Sequence, residues 1–360
     1  MMRRITAGWA LVLGLVGIVV VASGAGSPPS QRQLAHRDAT AFLERFVQPD
    51  GRVVRRDQGG DTVSEGQAYA MKLAVAIGDE KTFRRVWSWT RRHLQRRDGL
   101  LSWRWAGGHV TDRQPAADAD LDAAHALALA APRFGRRDLA AEARRIGRAL
   151  RATETVNTPA GGALAAGPWA RSEGVVNPSY ADPRAFTALA RLGDRASWHR
   201  LARASTRMVA AVAGHGSLPP DWARASGGGD AVVSGAPGKT GPPSYSWDAV
   251  RVPIRFAGAC AADRRRIAAS LWPHLSREPG VLPRALRGAP LHGAQKSSAG
   301  LAGAAAAAAA AGKSGTARAL LDEASSLERD HPTYYGSALV ALTRVSVMTH
   351  MLGRCGGRAG

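Results

Sequence analysis

Three acidic positions stand where they could do chemistry. Glu65 lies in DTVSEGQAYAMKLAVAIGD (Asp61 to Asp79), Asp118 opens the run DADLD, and Asp248 sits in YSWDAVRVPIR. A carboxyl that keeps its proton can donate it to a leaving group, and an ionised one can take a proton from water, so such a pair suits acid–base hydrolysis. Each also has an ordinary structural use. Ser64 and Gln67 bracket Glu65 in the spacing of a capping box, which puts Glu65 at the first helical position, where the dipole favours negative charge. Asp118, Asp120 and Asp122 stand at two-residue spacing just before an apolar helix that they would cap. Arg251 follows Asp248 at i+3, so on a helix its guanidinium would hold that carboxylate ionised, or simply form a structural ion pair.

Other chemistries lack their residues. The Asp-x-Asp-x-Asp run has neither the glycine nor the terminal glutamate of an EF-hand, and His109 and His125 are too isolated for a zinc site. No G-x-S-x-G elbow is present. No metal and no organic cofactor is expected.

The elements that must position these residues are helical. Apolar residues recur at helical spacing over Ala39–Phe46, Glu65–Ile77, Lys81–Leu94, Leu121–Arg133, Leu139–Thr153, Pro183–Leu192, Ala196–Gly214, Asp248–Cys260, Asp263–Arg277, Ser298–Ala311, Gly315–Leu327 and Gly336–Leu352. Strand signals are few: LLSWRWAGGHVTD and VVRRD read as short hairpin segments. The alternation predicts an all-α array, either a solenoid or a closed ring of helical hairpins. The loops between helices carry Trp103, Trp105, Trp169, Tyr180, Trp222, Trp247, Tyr334 and Tyr335 beside Pro, Asp or Arg. Aromatic faces next to carboxylates suit carbohydrate, whose C–H faces stack while its hydroxyls seek polar partners.

The chain has 360 residues, 45% of them hydrophobic, and a formal charge of +21. That charge is mostly arginine spread along the chain without a nucleic-acid motif, so no nucleic-acid partner is expected. Residues 1–26 run from basic (Arg3, Arg4) through apolar (Trp9 to Ala22) to small residues, the order of a secretory signal or an uncleaved membrane anchor. A secreted or surface-anchored protein follows, with the domain over 31–352 and a tail over 353–360. Cys260 and Cys355 make no disulfide framework, and with Cys355 in a Gly-rich tail a single bridge between them stays open.

TVSEGQAYAMKLAV, DGLLSWRW, VTDRQPAADADLDAAHALALA, GPWA, VVNPSY, LPPDWA and YSWDAVRVPIR occur in the order seen in glycoside hydrolase family 8, which the chain resembles from about Ala35 to Leu352. The resemblance implies an (α/α)6 barrel of about twelve helices and an inverting endo-glycosidase. Its likeliest substrate in that family is β-1,4-glucan, with xylan, lichenan and chitosan as alternatives. Carried over by motif, it casts Glu65 as general acid, Asp248 as general base and Asp118 as the residue that holds the sugar at the cleavage point. Tyr180 and Arg251 would position the water or its base, and Trp103, Trp169, Trp247 and Tyr334 would be stacking platforms. A monomer without a cofactor is implied; a non-catalytic glycan-binding protein is the rival reading. Two positions depart from the family pattern, Ala117 where a hydroxyl residue is usual and Trp247 where tyrosine is common. The resemblance also demands that burial and Asp118 outweigh the helix dipole at Glu65, because a general acid needs its pKa raised.

Overall fold

The computed structural model describes residues 27–158, 161–214, 216–225, 231–234 and 241–353. The expected signal or anchor, most of the tail including Cys355, and parts of the long loop before Ser244 lie outside the described residues. The helices are α1 (Gln31–Phe46), α2 (Ser64–Ile77), α3 (Glu80–His93), α4 (Ala117–Arg133), α5 (Arg137–Thr153), α6 (Pro183–Leu192), α7 (Arg195–Ala213), α8 (Arg251–Ala257), α9 (Ala262–Ser270), the single turn α10 (Trp272–Leu275), α11 (Ser298–Ala310), α12 (Ser314–Asp330) and α13 (Tyr334–Thr343).

The packing closes a ring. α2, α4, α6, α8, α11 and α13 each touch the next, and α13 returns to α2. Around them, α3 backs α2, α5 backs α4, α7 backs α6, α9 backs α8 and α12 backs α11, while α1 covers the seam between α13 and α2. Sequence character explains the two layers. α3 and α5 bury one stripe each and carry Arg and Lys on the outer face, whereas α2, α4 and α11 are buried nearly all round. The alanine tract of α11 has no bulky side chains to keep its neighbours away, so it fits between α8, α12 and α13.

Hairpin connection makes all inner helices run the same way. Links from an inner helix to its outer partner are tight turns, such as Gly78–Asp79 and Gly193–Asp194. Links from an outer helix to the next inner one, apart from the last, carry all the described strands. These are β1 (Thr62–Val63), β2 (Arg104–Ala106), β3 (His109–Asp112), β4 (Thr155–Thr158), β5 (Gly161–Leu164), β6 (Val175–Val176), β7 (Trp222–Ala225), β8 (Ala231–Ser234), β9 (Ser244–Tyr245), β10 (Val281–Ala285) and β11 (Pro290–Lys296). They pair antiparallel in the orders β1-β2-β3, β4-β5, β6-β7-β8 and β9-β10-β11. All therefore stand at the end where the inner helices begin.

Several local expectations need correction. Ser64 does not cap α2: the cap position is Val63, and the buried Ser64 hydroxyl has no hydrogen-bond partner. Gln67 turns away from the helix start, accepting from Val53 N at 2.6 Å and donating to Thr90 Oγ1 at 2.8 Å. The capping box stands at α1 instead, with Ser30 and Gln33, so that helix starts well before Ala39. α4 begins at Ala117, which places Asp118, Asp120 and Asp122 inside it, and its cap residue Ala116 offers no side-chain bond. VVRRD forms no strand beyond the isolated Val47–Val53 bridge. Cys260, whose pairing the sequence leaves open, is disulfide-bonded.

The ring is locked at its seam by Arg344, which follows α13. Its fully buried guanidinium donates to Asp38 on α1 at 2.6 Å, to Asp322 on α12 at 2.7 Å and to Gln31 at 3.2 Å. Removing one partner of a buried ion pair leaves the other uncompensated, at a cost of about 3–5 kcal/mol. Arg344→Leu is expected to lower unfolding stability by that order in a urea titration. An unchanged midpoint would show that apolar packing alone holds the seam.

Candidate active site

Arg251 sits at the start of α8 with its side chain 2% exposed, and it reaches three carboxyl groups. Nη1 donates to Glu65 Oε2 at 2.6 Å and to Asp118 Oδ2 at 2.7 Å, while Nη2 donates to Asp248 Oδ1 at 2.7 Å. Nη1 also lies 3.3 Å from the Tyr69 hydroxyl, and the ring of Tyr180 sits 5.2 Å from the guanidinium carbon. The i+3 spacing of Asp248 and Arg251 thus gives the expected contact, although Asp248 lies in the turn before α8 rather than on it. The spacing did not reveal that the same cation also holds the other two acids.

Each acid is placed by the start of an inner helix. Glu65 is the second residue of α2 and Asp118 the second of α4. The backbone N–H of Ser64 donates to Trp103 O at 2.9 Å, tying Glu65 to the bend before β2 that carries Trp103. The turn carrying Trp247 and Asp248 is shaped by Asp221, whose Oδ1 accepts from Ser246 N at 3.0 Å and Ala249 N at 2.8 Å. Asp221 was not among the expected site residues. Its signal was the aspartate of LPPDWA, a short acceptor able to hold backbone N–H groups of a turn.

Their surroundings differ. The side chains of Asp118, Glu65 and Asp248 are 5%, 19% and 32% exposed, so Asp248 is the one most open to water. Burial pushes the Glu65 carboxyl up to about 7; Arg251 opposes this, and Asp118, Asp248 and Asp122 add to it. This is the balance a proton donor requires. The Tyr334 hydroxyl lies 3.4 Å from Glu65 Oε1. Gly66 permits that approach, since a Cβ there would stand 2.6 Å from the Tyr334 oxygen.

Tyr334 is not a stacking platform. Its ring is 1% exposed and packs on Phe42 and Phe46, so only its hydroxyl serves the site. Trp103, Trp169 and Trp247 are the exposed large hydrophobic residues among the described ones, at 38%, 43% and 52%. A cleft of about 680 Å³ is lined by Glu65, Trp247, Asp248 and Tyr335, and runs on to Lys296 and His331. A second trough of about 380 Å³ is lined by Trp103, Trp169, Tyr180 and Trp222. Tyr335 donates to Trp247 O at 2.7 Å and steadies that rim. Among the described residues, no three His, Cys, Asp or Glu side chains group as a metal would need.

Comparison with known proteins decides the family. The description of the glycosyl hydrolases family 8 matches residues 23–349. The chain belongs to that family. It is 34% identical over 251 residues to a probable endoglucanase of Novacetimonas hansenii, covering 66% of this chain and 71% of that one. Its structure superposes on endo-beta-1,4-glucanase CMCax from Acetobacter xylinum with a TM-score of 0.74 at 27% identity, covering 88% of this chain and 98% of the other. A beta-1,3-1,4-glucanase from Paenibacillus sp. X4 superposes at 0.75 but 18% identity, over 89% and 93%, a likeness of fold alone. The ring of helix pairs is thus the (α/α)6 barrel of family 8, and the protein is a glycoside hydrolase.

Within that family 8 barrel, the raised Glu65 carboxyl has a measurable signature. NMR of the labelled side chain is expected to give a midpoint of about 7, well above an ordinary glutamate. Asp118→Asn, which removes a neighbouring negative charge, is expected to lower it. A Glu65 midpoint near 4.5 in the wild type would show that Arg251 and the helix dipole dominate instead.

Proposed function

We propose that the protein is an extracytoplasmic, inverting endo-β-1,4-glucanase in which Glu65 is the acid and Asp248 the base. The observation that carries this reading is the shared Arg251, which holds both carboxyls in one site while leaving them in unlike surroundings. Glu65 is enclosed and keeps a proton to near pH 7, and Asp248 is ion-paired yet open to water. Because Arg251 donates to Glu65 Oε2, the proton belongs on Oε1, the oxygen facing Tyr334.

In the proposed step Glu65 gives that proton to the glycosidic oxygen as the bond from the anomeric carbon breaks. Water attacks the opposite face and forms the new C–O bond while Asp248 takes its proton. Asp118 holds the sugar ring at the cleavage point, and Tyr180 and Arg251 orient the water and its base. Trp103, Trp169 and Trp247 stack the chain on either side of the acids, an arrangement that supports cleavage within a polymer. Export is supported by the apolar run after Arg4 and by the disulfide at Cys260, a bond favoured in oxidising compartments. Among the described residues no helix is long and apolar enough to cross a membrane. The substrate is supported by the endoglucanase relatives, and reducing-end release from glucan, lichenan, xylan and chitosan separates the alternatives.

Proton NMR early in β-glucan hydrolysis is expected to show the α-anomer first. Glu65→Gln is expected to lose at least about 100-fold on polymer, less on a substrate with a good leaving group. Asp248→Asn should be inactive on both. Initial release of the β-anomer would refute Asp248 as base, and a Glu65→Gln enzyme with near-normal activity on polymer would refute Glu65 as acid.

A further inference from the structure

Below Arg251 the same three helices meet a second time. Asp122 lies one turn along α4 from Asp118, and Arg255 one turn along α8 from Arg251. Arg255 grips both oxygens of Asp122, Nη1 to Oδ1 at 3.1 Å and Nη2 to Oδ2 at 3.0 Å. Lys72, two turns along α2 from Glu65, donates to Asp122 Oδ1 at 2.9 Å. All three side chains are at least nine-tenths buried. A second carboxylate, Asp182, lies 3.4 Å from Lys72 Nζ and 3.6 Å from Arg255 Nη1, and it caps α6 through Arg184 N and Ala185 N. A cavity of about 40 Å³, lined by Tyr69, Asp122, Arg251 and Arg255, adjoins both tiers.

We propose that Asp122, Arg255 and Lys72 are positioning residues that set where Arg251 stands, and through it the spacing of the three acids above. The inference rests on the roles given above to Glu65 and Asp248. The upper tier cannot fix its own height, because substrate engages the same carboxyls that hold Arg251. Nor can α8, a helix of seven residues with Pro253 inside it, since a run so short has little stability by itself. The Asp122–Arg255 pair fastens α8 to α4 one turn below the working cation, and Lys72 fastens α2 to the same carboxylate. A buried ion cluster is a poor source of net stability, whereas fixing one register is its best-attested use.

The tier also acts through charge. Burial raises the Asp122 carboxyl, but Arg255 and Lys72 outweigh it and keep Asp122 ionised. Its negative charge is one of those that raise Glu65. The other groups facing it are Tyr69 on α2, His125 on α4, Asp182 and Arg184 before and on α6, and Arg251 on α8. Burial drives His125 down to about 3, so it stays neutral through the working range.

Two substitutions separate geometry from charge. Arg255→Lys keeps the charge but loses the two-pronged grip. It is expected to lower kcat by about 10- to 100-fold, the scale of a small misplacement, with KM within about twofold and the basic limb of the pH profile unmoved. Asp122→Asn should lower kcat similarly and move the basic limb of kcat to lower pH, because Glu65 loses a negative neighbour while Lys72 and Arg255 are left with Asp182 as their one carboxylate in this cluster. Asp122→Glu should recover part of kcat and restore the limb. Thermal unfolding and circular dichroism confirm that each variant is folded before rates are compared. If Asp122→Asn does not fold, Arg255→Lys and Asp122→Glu carry the test by their kcat-against-KM split. A folded Arg255→Lys enzyme with wild-type kcat overturns the geometric role, and an unmoved limb in folded Asp122→Asn overturns the charge role. Retained activity in Glu65→Gln would instead remove the assignment beneath the proposal, a distinct outcome.

Discussion

One guanidinium holding three carboxyl groups is the constraint on which the rest of the molecule depends. Glu65 is 186 residues from Arg251 in sequence and Asp118 is 133, so only a closed ring brings them together. The ring does so by starting its inner helices at one end, where their dipoles present partial positive charge. Even so, one cation among three acids leaves an excess of negative charge in a poorly solvated place. A proton on one carboxyl relieves it, and the most enclosed of the two groups facing the cleft is Glu65. The helix start that would lower its pKa is overruled by burial and by the charges of Asp118, Asp248 and Asp122.

The legible part of this in the sequence was what local periodicity encodes. Amphipathic spacing located the helices and much of their extent, and the hairpin around Trp105 was visible as alternating residues near paired glycines. Motif order disclosed the family and with it the acids. Contacts between residues far apart in the chain were not legible. The i+3 spacing linked Arg251 to Asp248 but carried no sign of Glu65 or Asp118. Ser64 and Gln67 match a capping box letter for letter, yet tertiary packing claims Gln67 for the loop at Gly51 and Val53 and for Thr90. Tyr334, cast by the resemblance as a stacking platform, is buried because α1 supplies Phe42 and Phe46 to cover it. Whether an aromatic residue faces a cleft or a core depends on what the far end of the chain brings against it.

Electrostatics is concentrated along one axis of the barrel. Below the tier around Arg251, two carboxylates and two cations are balanced in a buried cluster, at Asp122, Asp182, Lys72 and Arg255. A further pair of buried acids, Asp120 and Glu154, forms no ion pair among the described residues, and burial raises both, first among the causes. Asp120 still accepts from Leu101 N at 2.8 Å and so holds the strand approach to Trp103 against α4. The arginines that give the chain its formal charge are largely elsewhere, many of them on outer helices such as α3 and α5.

The inequality of the connecting links has an evolutionary consequence. One rim of the barrel is built of hairpins and long loops, and the other of tight turns such as Gly78–Asp79 and Gly193–Asp194. Lengthening a tight turn would pull an inner helix from its outer partner, whereas a hairpin can grow or be exchanged while the helices stay in place. The barrel therefore separates inheritance from innovation. The helix starts that carry the acids form a fixed chassis, and the β10–β11 hairpin beside the cleft is a replaceable part through which a descendant could take a differently branched or decorated chain.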